Sequence, residues 1–233
     1  MEEIEVELDY KPRDVFLDFH DRQQRWAVIV AHRRCGKTVA CINELIYKAL
    51  IENKEDGRYA YIAPYYAQAK SIAFDYLMKF SSPVRANHNV SELWVELING
   101  SRIRLFGADN ADSLRGLYLD GVVLDEYADM KPSIWGAVIR PLLADRKGCA
   151  LFIGSPRGNN HFKQLEDYVA NCKDKDWMGW HFTIYDNPHI DKAEIEKLKE
   201  STTEKAWTQE YMADFVEEEG PVYYDFKTED HQL

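Results

Sequence analysis

The 233-residue sequence predicts an α/β fold, a mostly parallel sheet with helices on its faces. Three observations carry this expectation. Short apolar runs that read as buried strands alternate with stretches of helical periodicity. The loop after the first run ends in Gly36-Lys37-Thr38 and opens into a helix. A later run, Val122-Val123-Leu124, ends in two adjacent carboxylates, Asp125 and Glu126.

Residues 1–25 form a lead-in. Asp9-Tyr10-Lys11-Pro12-Arg13 reads as a turn or extended entry, and Val15, Phe16 and Phe19 mark one face of a short helix. Trp26 to Val30 is the first strand. After the loop 31–38, apolar residues at 42, 45, 46, 49 and 50 repeat at helical spacing. Arg58 to Ala63 reads as a second strand ended by Pro64, and residues 66–80 as a helix stopped by Ser81-Ser82-Pro83. Leu93 to Ile98 and Arg102 to Phe106 flank Asn99-Gly100, a hairpin signal. Arg102 and Arg104 share one strand face, either a basic ledge for DNA or a solvated face.

Residues 107–116 are polar and turn-rich and lead into the strand 121–124. Pro132 starts a helix over 132–143. Cys149 to Gly154 is another buried strand, followed by the loop 155–160, a helix from His161 to Ala170 and a last strand from Trp177 to Ile184. From Asn187 the character changes to two charged amphipathic helices, 190–199 and 203–215. The chain is thus read as a core over 1–186, a helical lid over 187–219 and the start of a linker over 220–233.

Composition narrows the class. Hydrophobic content of 45% with 13% aromatics is that of a packed globular protein. No apolar run approaches the length of a membrane span, and the acidic N-terminus lacks the apolar core of a signal peptide. The four cysteines show no C-x-x-C spacing, which argues against a zinc site or a disulfide framework and for a reducing compartment. The net charge is −11, and residues 187–233 hold five lysines against thirteen acids. A nucleic-acid partner must therefore meet a local basic patch.

The loop after the first strand has the context of a phosphate-binding P-loop. Consecutive backbone N–H groups and a helix N-terminus offer donors to a polyphosphate. Gly36 lets the backbone approach closely, Lys37 reaches the β- and γ-phosphates, and Thr38 offers its hydroxyl to Mg2+. Ala31 stands where such loops usually have their first Gly, and His32, Arg33 and Arg34 fill the loop. Cys35, at a helix N-terminus beside arginines, is expected to be reactive and protected by ATP. A segment about as far upstream as residues 13–24 often recognises adenine, so Arg13, Gln23 and Gln24 are candidates, beside the plainer reading of surface residues.

Two acids at the end of a buried strand are costly unless they face a polar site. In P-loop ATPases the first, here Asp125, holds Mg2+, and the second, here Glu126, polarises the attacking water. Phosphoryl transfer also calls on an arginine. Arg115, in a Gly-bounded loop, is the first choice, with Arg33, Arg34 and Arg157 as rivals. Ser155 follows the next strand and is read as a γ-phosphate sensor or a plain turn serine. The loops after Val30, Leu124 and Ile153 all leave carboxyl ends of strands, where such sheets bind ligands.

Taken together, the chain resembles the ATPase domain of the large terminase subunit of tailed double-stranded DNA bacteriophages. The resemblance rests on His32-Arg33-Arg34-Cys35-Gly36-Lys37-Thr38, Asp112-Ser113-Leu114-Arg115-Gly116, Val123-Leu124-Asp125-Glu126, Gly154-Ser155-Pro156-Arg157-Gly158-Asn159, Asp186-Asn187-Pro188-His189 and the stretch from Glu210 to Glu219. It implies a RecA-like fold with an additional acidic strand between the P-loop and water-activating strands. It implies Mg2+-dependent ATP hydrolysis that drives viral DNA into the procapsid. Arg115 is implied to act in trans within a pentameric ring on the portal protein, Arg33 to contact phosphate or relay the nucleotide state, and Ser155 and Arg157 to belong to the coupling motif, where the family usually has Thr at the serine. The implied partners are double-stranded viral DNA, the portal, the small terminase subunit and further copies of this chain, in the host cytoplasm and transiently on the capsid, with a monomer in dilute solution. The family's C-terminal nuclease is not expected here, so the chain reads as a fragment or as one half of a split motor. A helicase core and a non-catalytic binding module are the competing classes. The first normally needs a second RecA-like domain, and the second predicts that Lys37→Ala changes nothing.

Overall fold

The computed structural model describes residues 6–217. In chain order, α1 (Leu17–Asp21) leads into β1 (Trp26–Ala31), the loop and α2 (Lys37–Ile51). Then come β2 (Arg58–Ala63), α3 (Tyr66–Gln68), a π-wound turn over Ala69–Ala73 and α4 (Phe74–Phe80), the last three forming one helical run. Three strands follow: β3 (Arg85–Asn89), β4 (Trp94–Leu97) and β5 (Arg102–Gly107). Beyond them lie β6 (Gly121–Leu124), a π-wound turn over Trp135–Ile139 running into α5 (Arg140–Leu142), β7 (Cys149–Gly154), α6 (His161–Asn171) and β8 (Trp177–Phe182). The chain continues through α7 (Lys192–Glu200) and α8 (Glu204–Ala206) to a π-wound turn over Trp207–Tyr211.

Among the described residues, eight strands join one sheet in the order β3-β4-β5-β2-β6-β7-β1-β8. The six strands from β5 to β8 pair in parallel, and β3, β4 and β5 pair antiparallel. The apolar runs at β1 and β7 are buried along their whole length, as strands covered on both faces must be. One core packs α2 and α4 on one face, around Ile42, Leu45, Ile46 and Leu77; the other packs the 135–143 segment and α6 against the opposite face, around Val122, Leu124, Phe152 and Phe162. Each aliphatic side chain fully buried in α2 contributes about 1.5–3 kcal/mol, so this helix is fixed on the sheet by packing.

The expected elements recur with adjusted ends. The 203–215 helix stops at Tyr211, where Phe215 leaves the helical path and sets its ring against Phe162. The 132–143 helix is largely π-wound, and the last strand ends at Phe182 before a short turn over Ile184–Asp186. β3 was not anticipated, because its Arg85-Ala86-Asn87-His88-Asn89 has no apolar alternation; it is a bulged edge strand held by β4. The strand between β1 and β6 is β7, and it carries no acid, so the expected additional strand is present but is not acidic. Residues 184–212 gather a small core of their own from Ile184, Ile195 and Trp207. The linker stretch 220–233 and the last two residues of the 187–219 segment lie outside the described residues. Among the described residues no helix is long and apolar enough to cross a membrane.

Candidate nucleotide site

The order β6-β7-β1 puts the three chemistry-bearing loops side by side on one edge of the sheet. The loop after β1 turns through Arg34 and Gly36, both left-handed, at φ 66° and 99°. A side chain at Gly36 would be strained and would press on the Arg13 guanidinium at 3.3 Å. Lys37 is buried, and its Nζ donates to the carbonyls of Ala31 (2.9 Å) and His32 (3.1 Å) and to Ser155 Oγ (3.2 Å). These acceptors offset the cost of burying the ammonium.

Asp125 is buried at the end of β6. Tyr61 on neighbouring β2 donates to its Oδ2 at 2.5 Å, and the Glu126 N–H to its Oδ1 at 3.0 Å. The Tyr61 hydroxyl also bonds the side chain of Thr38. Burial, then the Glu126 charge beside it, raise the Asp125 carboxyl to about 6. Glu126 sits at φ 47°, ψ 51°, a left-handed position that costs a non-glycine residue roughly 1–2 kcal/mol. The Ser155 N–H donates to its Oε2 at 3.1 Å. Ser155 thus touches Lys37 through its hydroxyl and Glu126 through its backbone, and all three loops meet at this residue.

A cavity of about 560 Å³ opens over these groups, within the range of small-molecule sites. Arg13, Arg33, Arg34 and Lys37 face it against Glu126 and Asp129, so positive charge prevails. The donor set fits Mg2+, which takes one or two carboxylates together with substrate phosphates rather than a cage of protein ligands. Asp125 and Thr38, joined through Tyr61, would supply that set.

The remaining candidates lie around this centre. Arg33 is exposed and pairs with Glu210, in the π-wound turn over Trp207–Tyr211, Nε to Oε2 at 2.6 Å. Arg157 is exposed and pairs with Asp129. Arg115 is exposed on the turn after β5, held to Asp112 at 2.9 Å, and does not line the cavity of its own chain. Arg13 binds the Cys35 carbonyl at 2.7 Å, whereas Gln23 is exposed and bonds the Asp21 carbonyl. Cys35 corrects the sequence reading. It is buried, and desolvation outweighs the neighbouring Lys37 and Arg13, raising its thiol to about 11. It reaches the cavity wall as part of the loop, not as a reactive thiolate. Arg102 pairs with Glu96 at 2.6 Å and Arg104 lies 3.9 Å from Glu92, so their strand face is a charge-paired one. Tyr61 escaped the sequence reading. The available signal was a tyrosine hydroxyl on a buried strand, which needs a partner.

Comparison with known proteins identifies the family. Residues 28–229 match the family model described as terminase large subunit, T4likevirus-type, N-terminal. The chain belongs to the large terminase subunit family. It is 31% identical over 216 residues to the terminase large subunit of Escherichia phage T5, across 91% of this chain and 48% of that protein. It therefore spans about half the length of that relative. Among solved structures, the large terminase ATPase domain of Thermus phage P74-26 superposes with a TM-score of 0.78 at 26% identity, over 90% of this chain and 96% of that one. The large terminase of a thermophilic bacteriophage in complex with ADP gives 0.71 at 17% identity, over 83% and 49%, a likeness of fold alone.

Proposed function

We propose that this chain is the ATP-hydrolysing part of a motor that drives double-stranded viral DNA into a procapsid. The bonded chain Lys37–Ser155–Glu126 beside buried Asp125 carries this reading, because it gathers the groups of phosphoanhydride hydrolysis at one sheet edge. The loop's N–H groups and the start of α2 receive the phosphates. Lys37 exchanges its carbonyl partners for β- and γ-phosphate oxygens. Asp125 and Thr38 would hold Mg2+, which would neutralise charge on the transferred phosphate. Glu126, braced by the Ser155 N–H, orients a water in line with the bond to be broken. The water oxygen bonds the γ-phosphorus, the β–γ bridging bond breaks, ADP leaves, and the water's proton passes to the Glu126 carboxylate.

Arg115 is assigned as a finger acting in trans, which its exposed position outside its own cavity supports. Arg33, paired with Glu210, links the phosphate loop to residues 187–219, which we read as a lid. Ser155 and Arg157 serve in coupling. The working assembly is a ring, a pentamer on the portal, that also engages the small terminase subunit, with a monomer in dilute solution.

The test is the Mg2+-dependent ATP hydrolysis rate per chain as protein concentration rises. The expected result is a rate that climbs, is abolished by Lys37→Ala, and in Arg115→Ala is restored by adding Glu126→Ala protein. A measurable rate that stays flat assigns the finger to Arg33, Arg34 or Arg157 and removes the trans mechanism. Turnover unaffected by Lys37→Ala refutes the site.

A further inference from the structure

The phosphate end of the 560 Å³ cavity accounts for only part of its wall. Beyond Val39, in the first turn of α2, the cavity is walled by Gln68, Ile72 and Tyr76. These residues recur at four-residue spacing and share one side of the helical run after β2. That run already has a core-facing side: Ala69, Ala73, Leu77 and Phe80 are buried against the sheet and α2. Ile72 and Tyr76 are instead 50% and 37% exposed. The run therefore carries a second apolar stripe that serves no core and faces the site. Its middle, Ala69–Ala73, is π-wound, a feature that often marks functional positions.

The Tyr76 ring is braced. It stacks on Phe80 at 6.3 Å between centroids and 23° between planes. Phe80 in turn meets the edge of Tyr10, at 5.9 Å. Tyr10 belongs to the strap that ends at Arg13, whose guanidinium lies beside Gly36 and lines the same cavity. One groove thus holds the phosphate donors, with the Arg13 guanidinium beside Gly36, and an aromatic and an aliphatic side chain on the helical run.

From this arrangement we infer that Tyr76 and Ile72 form the platform on which the base of the bound nucleotide rests, with Arg13 on the loop side of the same cavity. The inference rests on the ATPase reading above and adds its base subsite. Phosphates gain nothing from an aromatic wall, whereas a nucleobase presents a flat π-face that stacks on tyrosine and on guanidinium. The larger cavity of about 820 Å³ between the loop arginines and α7 is the competing place for a base. Its walls carry Arg33, His189, Asp191, Glu194 and Glu210, and its aromatic residue, Tyr211, is stacked on Trp207 at 4.9 Å.

The experiment compares binding of Mg-ATP with binding of Mg-tripolyphosphate, which has the phosphates and no base, by isothermal titration calorimetry. Tyr76→Ala is expected to weaken ATP about tenfold and to leave tripolyphosphate unchanged. Tyr76→Phe is expected to keep the affinity for both. Ile72→Gln shows a smaller loss confined to ATP, and it decides the matter alone if Tyr76→Ala does not fold. An equal loss for both ligands makes Tyr76 a support of the phosphate loop and overturns the inference. No loss for either, with a selective loss of ATP in Tyr211→Ala, moves the base to the other cavity and also overturns it. A wild-type chain that binds tripolyphosphate keeps the phosphate-site reading intact whichever way the base result falls. One that binds neither ligand removes the site itself.

Discussion

Replacing Tyr61 by Phe deletes one hydroxyl from the floor of the site and nothing else. That hydroxyl donates to Asp125 Oδ2 at 2.5 Å, and both residues are buried, so no water takes its place at equal cost. A hydrogen bond to a charged acceptor is worth about 1.5–3 kcal/mol. At about 2 kcal/mol, and with a chain of this size shifting its midpoint by 2–4 °C per kcal/mol, the thermal midpoint should fall by about 4–8 °C at pH 8 without nucleotide. The second consequence is specific to the site. Tyr61 also bonds Thr38, so the hydroxyl sets the relative position of the two Mg2+-binding candidates. Loss of a group that orients a metal ligand costs roughly 10–100-fold in metal affinity or activity. The Mg2+ concentration for half-maximal ATP hydrolysis should therefore rise at least about tenfold. Titrating Mg2+ at fixed ATP, alongside scanning calorimetry, measures both effects. A lower midpoint with unchanged Mg2+ dependence would mean that Tyr61 is a packing residue and that Asp125 is held by other contacts.

Three further outcomes are expected. Asp120, buried at the opposite edge of the sheet, binds Arg146 at 2.8 Å, Lys54 at 3.2 Å and the Arg58 N–H at 2.9 Å. Burial alone raises its pKa, but these partners outweigh it and hold the carboxyl below its ordinary value. A depressed carboxyl stabilises above its unfolded pKa, so Asp120→Asn should cost about 3 kcal/mol between pH 5 and 8, and the gap to wild type in urea unfolding should close only below about pH 4. A gap that widens with acid refutes the assignment. Cys35, with its thiol raised from an ordinary 9 to about 11, should react with a thiol reagent at pH 8 about a hundredfold more slowly than a free thiol; fast modification of Cys35 in the native protein, read by peptide mass mapping, contradicts its burial. Gly154→Val should lower turnover with modest effect on ATP binding, because a Cβ there meets the Phe162 ring at 3.2 Å and the Glu126 Cα and Tyr127 N at 3.3 Å, so the strained turn has to shift. Wild-type turnover in that variant contradicts the close approach.

The elements that the sequence made legible are those whose signal is local. The strand–loop–helix at 26–51 follows from an apolar run, a glycine with left-handed φ and a stripe at helical spacing, and each of these acts within a few residues. The Asp125-Glu126 pair was legible because acids after a buried run need a polar destination. Edge strand β3 was not, since its pairing with β4 rests on backbone bonds that its polar side chains do not advertise. Cys35 shows how a local argument fails. The arginines beside it in sequence promised a thiolate, but the fold buries the thiol, and desolvation outweighs the nearby charge.

By itself the sequence determined the alternation of elements, the Gly36-Lys37-Thr38 turn and the acids that end β6, because these depend on neighbours along the chain. Tertiary structure alone decided what lies across the loop. Ser155 reaches both Lys37 and Glu126 because β7 inserts between β1 and β6, a strand order that no local pattern encodes. Tyr61 meets Asp125, Arg13 meets Cys35, and Tyr76 faces the cavity for the same reason. Contacts between residues far apart in sequence are fixed by packing of the whole sheet and its helices, and side-chain chemistry acquires its partners only after that packing is complete.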